Sequence, residues 1–228
     1  MNEVTRVSPK MRQLAFWLPL VFFIAAIFFD VVLSEDVKFW LYNENGPYEL
    51  TQFFVLVWAA ILAALNIPRY AGHAKFLMIW MVLAFLSCVW VAGEEISWGQ
   101  QFLKWDTPEF WSGINDQNET NLHNTSSWLD QKPRLILELG IYFGGIVVPL
   151  LRKYKPHLVP QKFNPIYPAA WLMPVAAFCL LIRMVDIAAD ISGFNLFGRV
   201  SEVEELYLYF FVALYLYDFR HRFIPGSH

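Results

Sequence analysis

The chain has 228 residues, of which 57% are hydrophobic and 16% charged, with a mean hydropathy of +0.39. A soluble domain is usually about 45–50% apolar and about a quarter charged, so an ordinary water-soluble globule is excluded and a single compact bundle suits the length. The formal net charge is −3, and the basic residues are scattered along the chain, which excludes a nucleic-acid binder with its basic patch.

A bilayer-spanning helix needs about 20 mostly apolar residues. Six stretches qualify, at approximately 14–33, 49–67, 76–98, 135–151, 168–190 and 202–219. The predicted fold is therefore all-α, a polytopic transmembrane helical bundle in one domain. The first stretch follows Arg6, Lys10 and Arg12, as a signal peptide would, but it is long and leads into Ser34-Glu35-Asp36 instead of a small-residue cleavage site. It reads as an uncleaved span. The third and sixth are short as pure apolar runs, Phe76–Ala92 and Leu206–Phe219, and both continue into polar residues. The longest connection, an outer loop over 99–133, carries the amphipathic patches Phe102-Leu103 and Phe110-Trp111, and loops of that length usually carry function or structure of their own. Cys88 and Cys179 each lie within an apolar run, where thiols act as small packing residues.

Charge sets the orientation. With the N-terminus inside, cytoplasmic segments hold eleven Lys and Arg residues and outer segments five (Lys38, Lys104, Lys132, Arg134, Arg199), while Arg183 lies within the fifth span. This positive-inside bias places both termini in the cytoplasm. The acids do the opposite: of 20 Asp and Glu, only Glu3 and Asp218 belong to the inner side.

Ionisable groups in or beside spans are costly, about 2.5–3.5 kcal/mol each at mid-membrane, so they tend to be paired, cavity-facing and functional. Four groups stand out. In Gly93-Glu94-Glu95-Ile96-Ser97-Trp98-Gly99-Gln100 the adjacent carboxylates suit a metal ligand plus a general base, or a dyad sharing a proton; the plainer explanation is a solvated helix end. In Asn115–Asn124, Glu119 and His123 are four apart and share a face on a helical turn, as ligation or carboxylate-oriented imidazole requires; Asn121 lies between them, and an ordinary polar loop is the plainer alternative. Arg183, Asp186 and Asp190 form one stripe on the fifth span, fit either for anion binding or for locking helices. Ser201-Glu202-Val203-Glu204-Glu205 opens the sixth span, where Ser201 suits an N-cap and the macrodipole favours acids; Glu202 and Glu205 share a face with Tyr209. Glu138, Glu44 and Glu49 add carboxylates at a similar level, with Gly46-Pro47 reading as a turn before Glu49. So many carboxylates need cations, arginine or shared protons, and a divalent metal (Zn, Mn, Fe, Ca or Mg) held by Glu95, Glu119, His123, Glu202 and Glu205 would relieve the repulsion most directly.

The Gly93–Gln100 octet, the Glu119-Thr-Asn-Leu-His-Asn stretch and Glu44-Asn-Gly-Pro-Tyr-Glu-Leu-Thr resemble a family of small bacterial inner-membrane proteins over about residues 40–140. The resemblance implies a multi-span protein of the bacterial inner membrane and implies no activity. Glu94-Glu95 is also similar to the paired glutamates of CAAX-type intramembrane proteases. Those carry an arginine three residues after the second glutamate, where this chain has Trp98, and use more than one histidine, where the outer side here offers His123.

Three functions stay open. The first is a hydrolase or transferase acting on a lipid-linked or membrane substrate, with Glu94, Glu95, Glu119 and His123 as catalytic groups and Arg183, Asp186, Asp190, Trp98, Gln100 and Asn121 as substrate contacts. The second is a non-catalytic subunit docked on a partner membrane protein. The third is a cation or proton transporter, for which the inner half offers little polar lining beyond Ser87 and Arg183. The absence of a P-loop, dinucleotide fingerprint, nucleophile elbow and CxxC leaves nucleotide, flavin and thiol chemistry without support.

Overall fold

Long apolar runs bounded by helix-capping and helix-breaking residues become helices because a buried backbone must satisfy its own hydrogen bonds. A computed structural model describes residues 7–222 except 44–45, 73, 115–119, 123–124, 126 and 194–195, with backbone only at 101 and 127–131. The helices are α1 (Pro9–Val32), α2 (Glu35–Tyr42), α3 (Pro47–Ala71), α4 (Lys75–Glu95), α5 (Gln100–Leu103), α6 (Glu109–Ser112), α7 (Ser127–Tyr142), α8 (Val148–Tyr154), α9 (Met173–Ser192) and α10 (Val200–His221). The described residues contain no β-strand.

Five segments are long and apolar enough to cross a membrane: Pro9–Val32, Glu35–Ala71, Lys75–Glu95, Lys132–Tyr154 and Ala170–Ser192. Helix α10 is long enough, roughly 33 Å at 1.5 Å per residue, but it carries Glu202, Glu204, Glu205, Asp218 and Arg220. It tolerates them because it is the central helix. Thirteen of its 22 residues are buried, against three of the 24 in α1, which lies at the periphery. The protein is thus a helical membrane bundle built around α10.

The tightest packing joins α3 to α4 and to α10. Ala59, Ala60 and Ala63 make this face of α3 thin enough for close approach. Helices α7 and α8 are one bent rod, joined by a π turn over Phe143–Val147. Pro149 cannot donate to the carbonyl four residues back and its ring presses on it, a conflict that a π turn relieves. A Cβ on Gly145 would lie 2.7 Å from the Ala176 Cβ and 3.1 Å from the Phe211 ring, so glycine is what lets this rod touch α9 and α10.

Several boundaries differ from the sequence expectations. The loop expected over 99–133 is shorter, because α7 begins at Ser127 and carries Lys132, Pro133 and Arg134 as helix. Helix α4 ends at Glu95, before Trp98. The N-cap of α10 is Arg199, in the left-handed region at φ 51°, and Ser201 lies inside the first turn. Below, the outer end is the one bearing the C-terminus of α4 and the N-terminus of α10; the inner end is the opposite one, towards which the basic residues are biased.

At the inner end, the fully buried Asp218 accepts from Arg222 Nε (2.8 Å) and Trp171 Nε1 (2.7 Å). Arg222 also donates to the carbonyls of Pro165 (2.5 Å) and Tyr167 (2.8 Å) and lies 3.9 Å from the Phe219 ring centroid. Tyr70 donates to the Phe219 carbonyl and Asn66 to that of Leu216, tying α3 to α10.

Candidate functional site

The Gly93–Gln100 octet is a helix-terminating hook. After Glu95 the chain turns through three consecutive positive φ values, Ser97 (46°), Trp98 (54°) and Gly99 (95°). Glycine adopts this region freely, whereas serine and tryptophan are strained in it. This turn folds Trp98 back over Gly93, where a Cβ would lie 2.8 Å from the indole, so any larger residue would have to push the ring aside. The indole Nε1 then donates to Glu94 Oε1 at 2.7 Å.

That hook captures the outer loop. The Leu122 amide donates to Glu94 Oε2 (2.6 Å), and Asn121 Nδ2 donates to Ser97 Oγ (2.9 Å). Gln100 Oε1 accepts from the Thr120 amide (2.7 Å) and hydroxyl (2.8 Å), while its Nε2 donates to Thr107 Oγ1 (2.8 Å). The two motifs singled out from sequence therefore meet, and Glu94, Gln100 and Asn121 hold the loop. Glu94 and Glu95 do not form a facing dyad. Both Glu94 oxygens are engaged by this clamp, and Glu95 turns the other way, towards α10. Glu119 and His123 flank the captured segment and lie outside the described residues.

A second cluster fills the outer end between α4, α7, α9 and α10. Tyr209 donates to Glu95 Oε1 at 2.8 Å, and Glu205, Glu202 and Glu49 lie within electrostatic reach of Glu95. Arg134 is the hub: its guanidinium contacts Glu204 at 2.5 Å, Glu205 at 3.1 Å and Glu138 at 3.3 Å. Arg183 joins from α9, 2.8 Å from Asp186, 3.7 Å from Glu138 and 3.8 Å from Glu204. Tyr142 donates to Glu204 at 3.4 Å. Glu204 is fully buried, whereas the side chains of Arg183 and Asp186 keep 35% and 25% of their exposure. The site is closed towards α10 and open beside α9. Gln52, also fully buried, donates to the Glu202 carbonyl at 2.8 Å and fixes the start of α10 against α3.

The sequence had placed Arg134 in an outer loop, and Asp190 on the same working stripe as Arg183. Arg134 faces the bundle from α7, and Asp190 is exposed one turn beyond Asp186, outside the network. Glu204, which macrodipole stabilisation would have left at the surface, is the most buried acid of its run. The i,i+4 pair Arg134–Glu138 was the one local signal that could have revealed the hub. Two arginines offset part of the charge for which a divalent metal was the expected relief. Among the described residues no three His, Cys, Asp or Glu side chains converge as a metal-holding group.

No protein-family model matches the chain, and no curated protein or solved structure matches it. What the site can do follows from its own side chains. A carboxylate hydrogen-bonded by a phenol and crowded by other acids is suited to taking up a proton. A part-exposed guanidinium at the same end is suited to holding an anionic group.

Proposed function

We propose that the outer end of the bundle is the working site of a hydrolase or transferase of the bacterial inner membrane, acting on a lipid-linked anionic substrate. The supporting observation is an unbalanced charge network left open on one side: Arg134 and Arg183 face Glu138, Glu204, Glu205 and Asp186, with Glu95 close by. A network serving only to hold helices gains little from surplus buried acid, because each desolvated charge costs several kcal/mol, on the order of what a good partner returns. In this reading Glu95 is the general base, Tyr209 orients it, and Arg183 anchors the head group. Arg134 holds Glu138, Glu204 and Glu205 in place. Between this site and the inner end, α10 buries Leu208, Phe211, Ala213 and Leu214. That apolar middle favours chemistry at one face over transport. The positive-inside bias and the resemblance to small bacterial inner-membrane proteins support the location.

The test is turnover of a total bacterial lipid extract by the detergent-purified chain, followed by mass spectrometry. One lipid class should be consumed, and Glu95→Gln should slow this at least about 100-fold without changing the melting temperature. No turnover by the wild type beside a stoichiometric co-purifying protein would replace the enzyme with an accessory subunit. Elemental analysis of the same samples separates pure acid–base chemistry from a metal-assisted version, in which Glu119 and His123 would join Glu95, Glu202 and Glu205.

A further inference from the structure

Trp98 does more than close the hook: with Trp90, Trp105 and Trp111 it walls a hollow of about 380 Å³ at the outer end of α4, completed by Glu94, Thr120 and Leu122. Trp90 and Trp98 stand nearly at right angles, with ring centroids 5.2 Å apart and an interplanar angle of 72°. The Trp105 ring rests against Gly99, 3.8 Å from where a Cβ would be, and the Gln100 side chain donates to the Trp105 carbonyl at 3.3 Å. Because Trp98 Nε1 is committed to Glu94, that indole meets the hollow through its ring and not through its N–H.

We propose that this hollow binds the alkylammonium head group of a zwitterionic phospholipid. Four indoles around one hollow, two of them in edge-to-face contact, suit a compact cation, whereas a flat sugar ring would call for one open platform. The negative faces of indoles attract alkylammonium groups most strongly among aromatic side chains. The only charged group among the described lining residues is a carboxylate, Glu94, and none is cationic, which selects the ammonium over the phosphate of the head group. The volume accommodates a head group, and a helix of the length and apolarity of α4 that spans a bilayer brings its end to head-group depth. This inference is independent of the proposed reaction, since the hollow includes none of Glu95, Tyr209, Arg134 and Arg183.

The experiment is tryptophan fluorescence of the full chain in a polyoxyethylene detergent, titrated with choline chloride, with 3,3-dimethylbutan-1-ol (its neutral isostere), and with sodium chloride as control. Choline should quench saturably, with half-saturation about tenfold below that of the neutral alcohol, and sodium chloride should not quench. Dodecylphosphocholine below its micellar concentration should bind more tightly than choline. Trp111→Leu and Trp105→Leu leave the Glu94 clamp untouched and should weaken both ligands severalfold at unchanged helicity. Equal affinity for choline and its isostere, or unchanged binding in both variants, would overturn the proposal and leave the tryptophans as interfacial anchors only. Tight choline binding with no gain from the dodecyl chain would overturn the lipid as its source.

Discussion

The two ends of the bundle hold buried charge in opposite ways. At the inner end one acid, Asp218, meets one arginine, Arg222, and that arginine also donates to two backbone carbonyls and lies over the Phe219 ring. At the outer end two arginines face at least four acids, and the one on α9, Arg183, stays about one-third exposed. A balanced, enclosed pair ties α10 to the segment before α9; a surplus that opens to one side is costly to keep and points to use. The same helix, α10, supplies acids to both, so composition does not separate them. The partners brought by other elements do.

That contrast can be broken most directly by removing each hub. Arg134→Met and Arg222→Met should each lower stability by about 3–5 kcal/mol, because uncompensated acids stay buried; thermal unfolding in detergent reads the loss. The rescues should then diverge. Adding Glu138→Leu and Glu204→Leu to Arg134→Met should recover most of the stability while abolishing turnover. Adding Asp218→Leu to Arg222→Met should recover little, since the Trp171 indole and the Pro165 and Tyr167 carbonyls still lack partners. Equal recovery at both ends would remove the distinction between lock and working site.

Smaller effects sharpen the outer end. Glu94→Gln trades a charged acceptor of two N–H groups for a weaker one and should cost about 1.5–3 kcal/mol, with faster proteolysis between residues 99 and 126 as the local readout. Gly93→Ala should cost about 1–3 kcal/mol through overpacking against the Trp98 ring, and about half as much in a Trp98→Leu background. A cost independent of Trp98 would mean that the hook is not what the glycine serves. Asp190→Asn should fall within about 0.5 kcal/mol of wild type and leave turnover unchanged, as befits an exposed carboxylate outside the network.

Sequence alone determined the all-α architecture and approximately where its long apolar helices run, because apolar run length is a local property that the bilayer enforces strongly. It located Glu94, Glu95, Glu205 and Arg183 as residues needing partners. It did not determine which partners, because helical periodicity relates residues three or four apart on one helix and is silent on how neighbouring helices are rotated. Hence Arg134 read as the polar flank of a loop beside Pro133, when helix packing places it against Glu204 and Glu205 some seventy positions away. Likewise Glu94 and Glu95 read as a pair, when three positive φ values and the docking of Thr120–Leu122 send one to the loop and the other to Tyr209. Only the tertiary structure decided these pairings, since buried charges take the partners that packing brings within hydrogen-bonding distance.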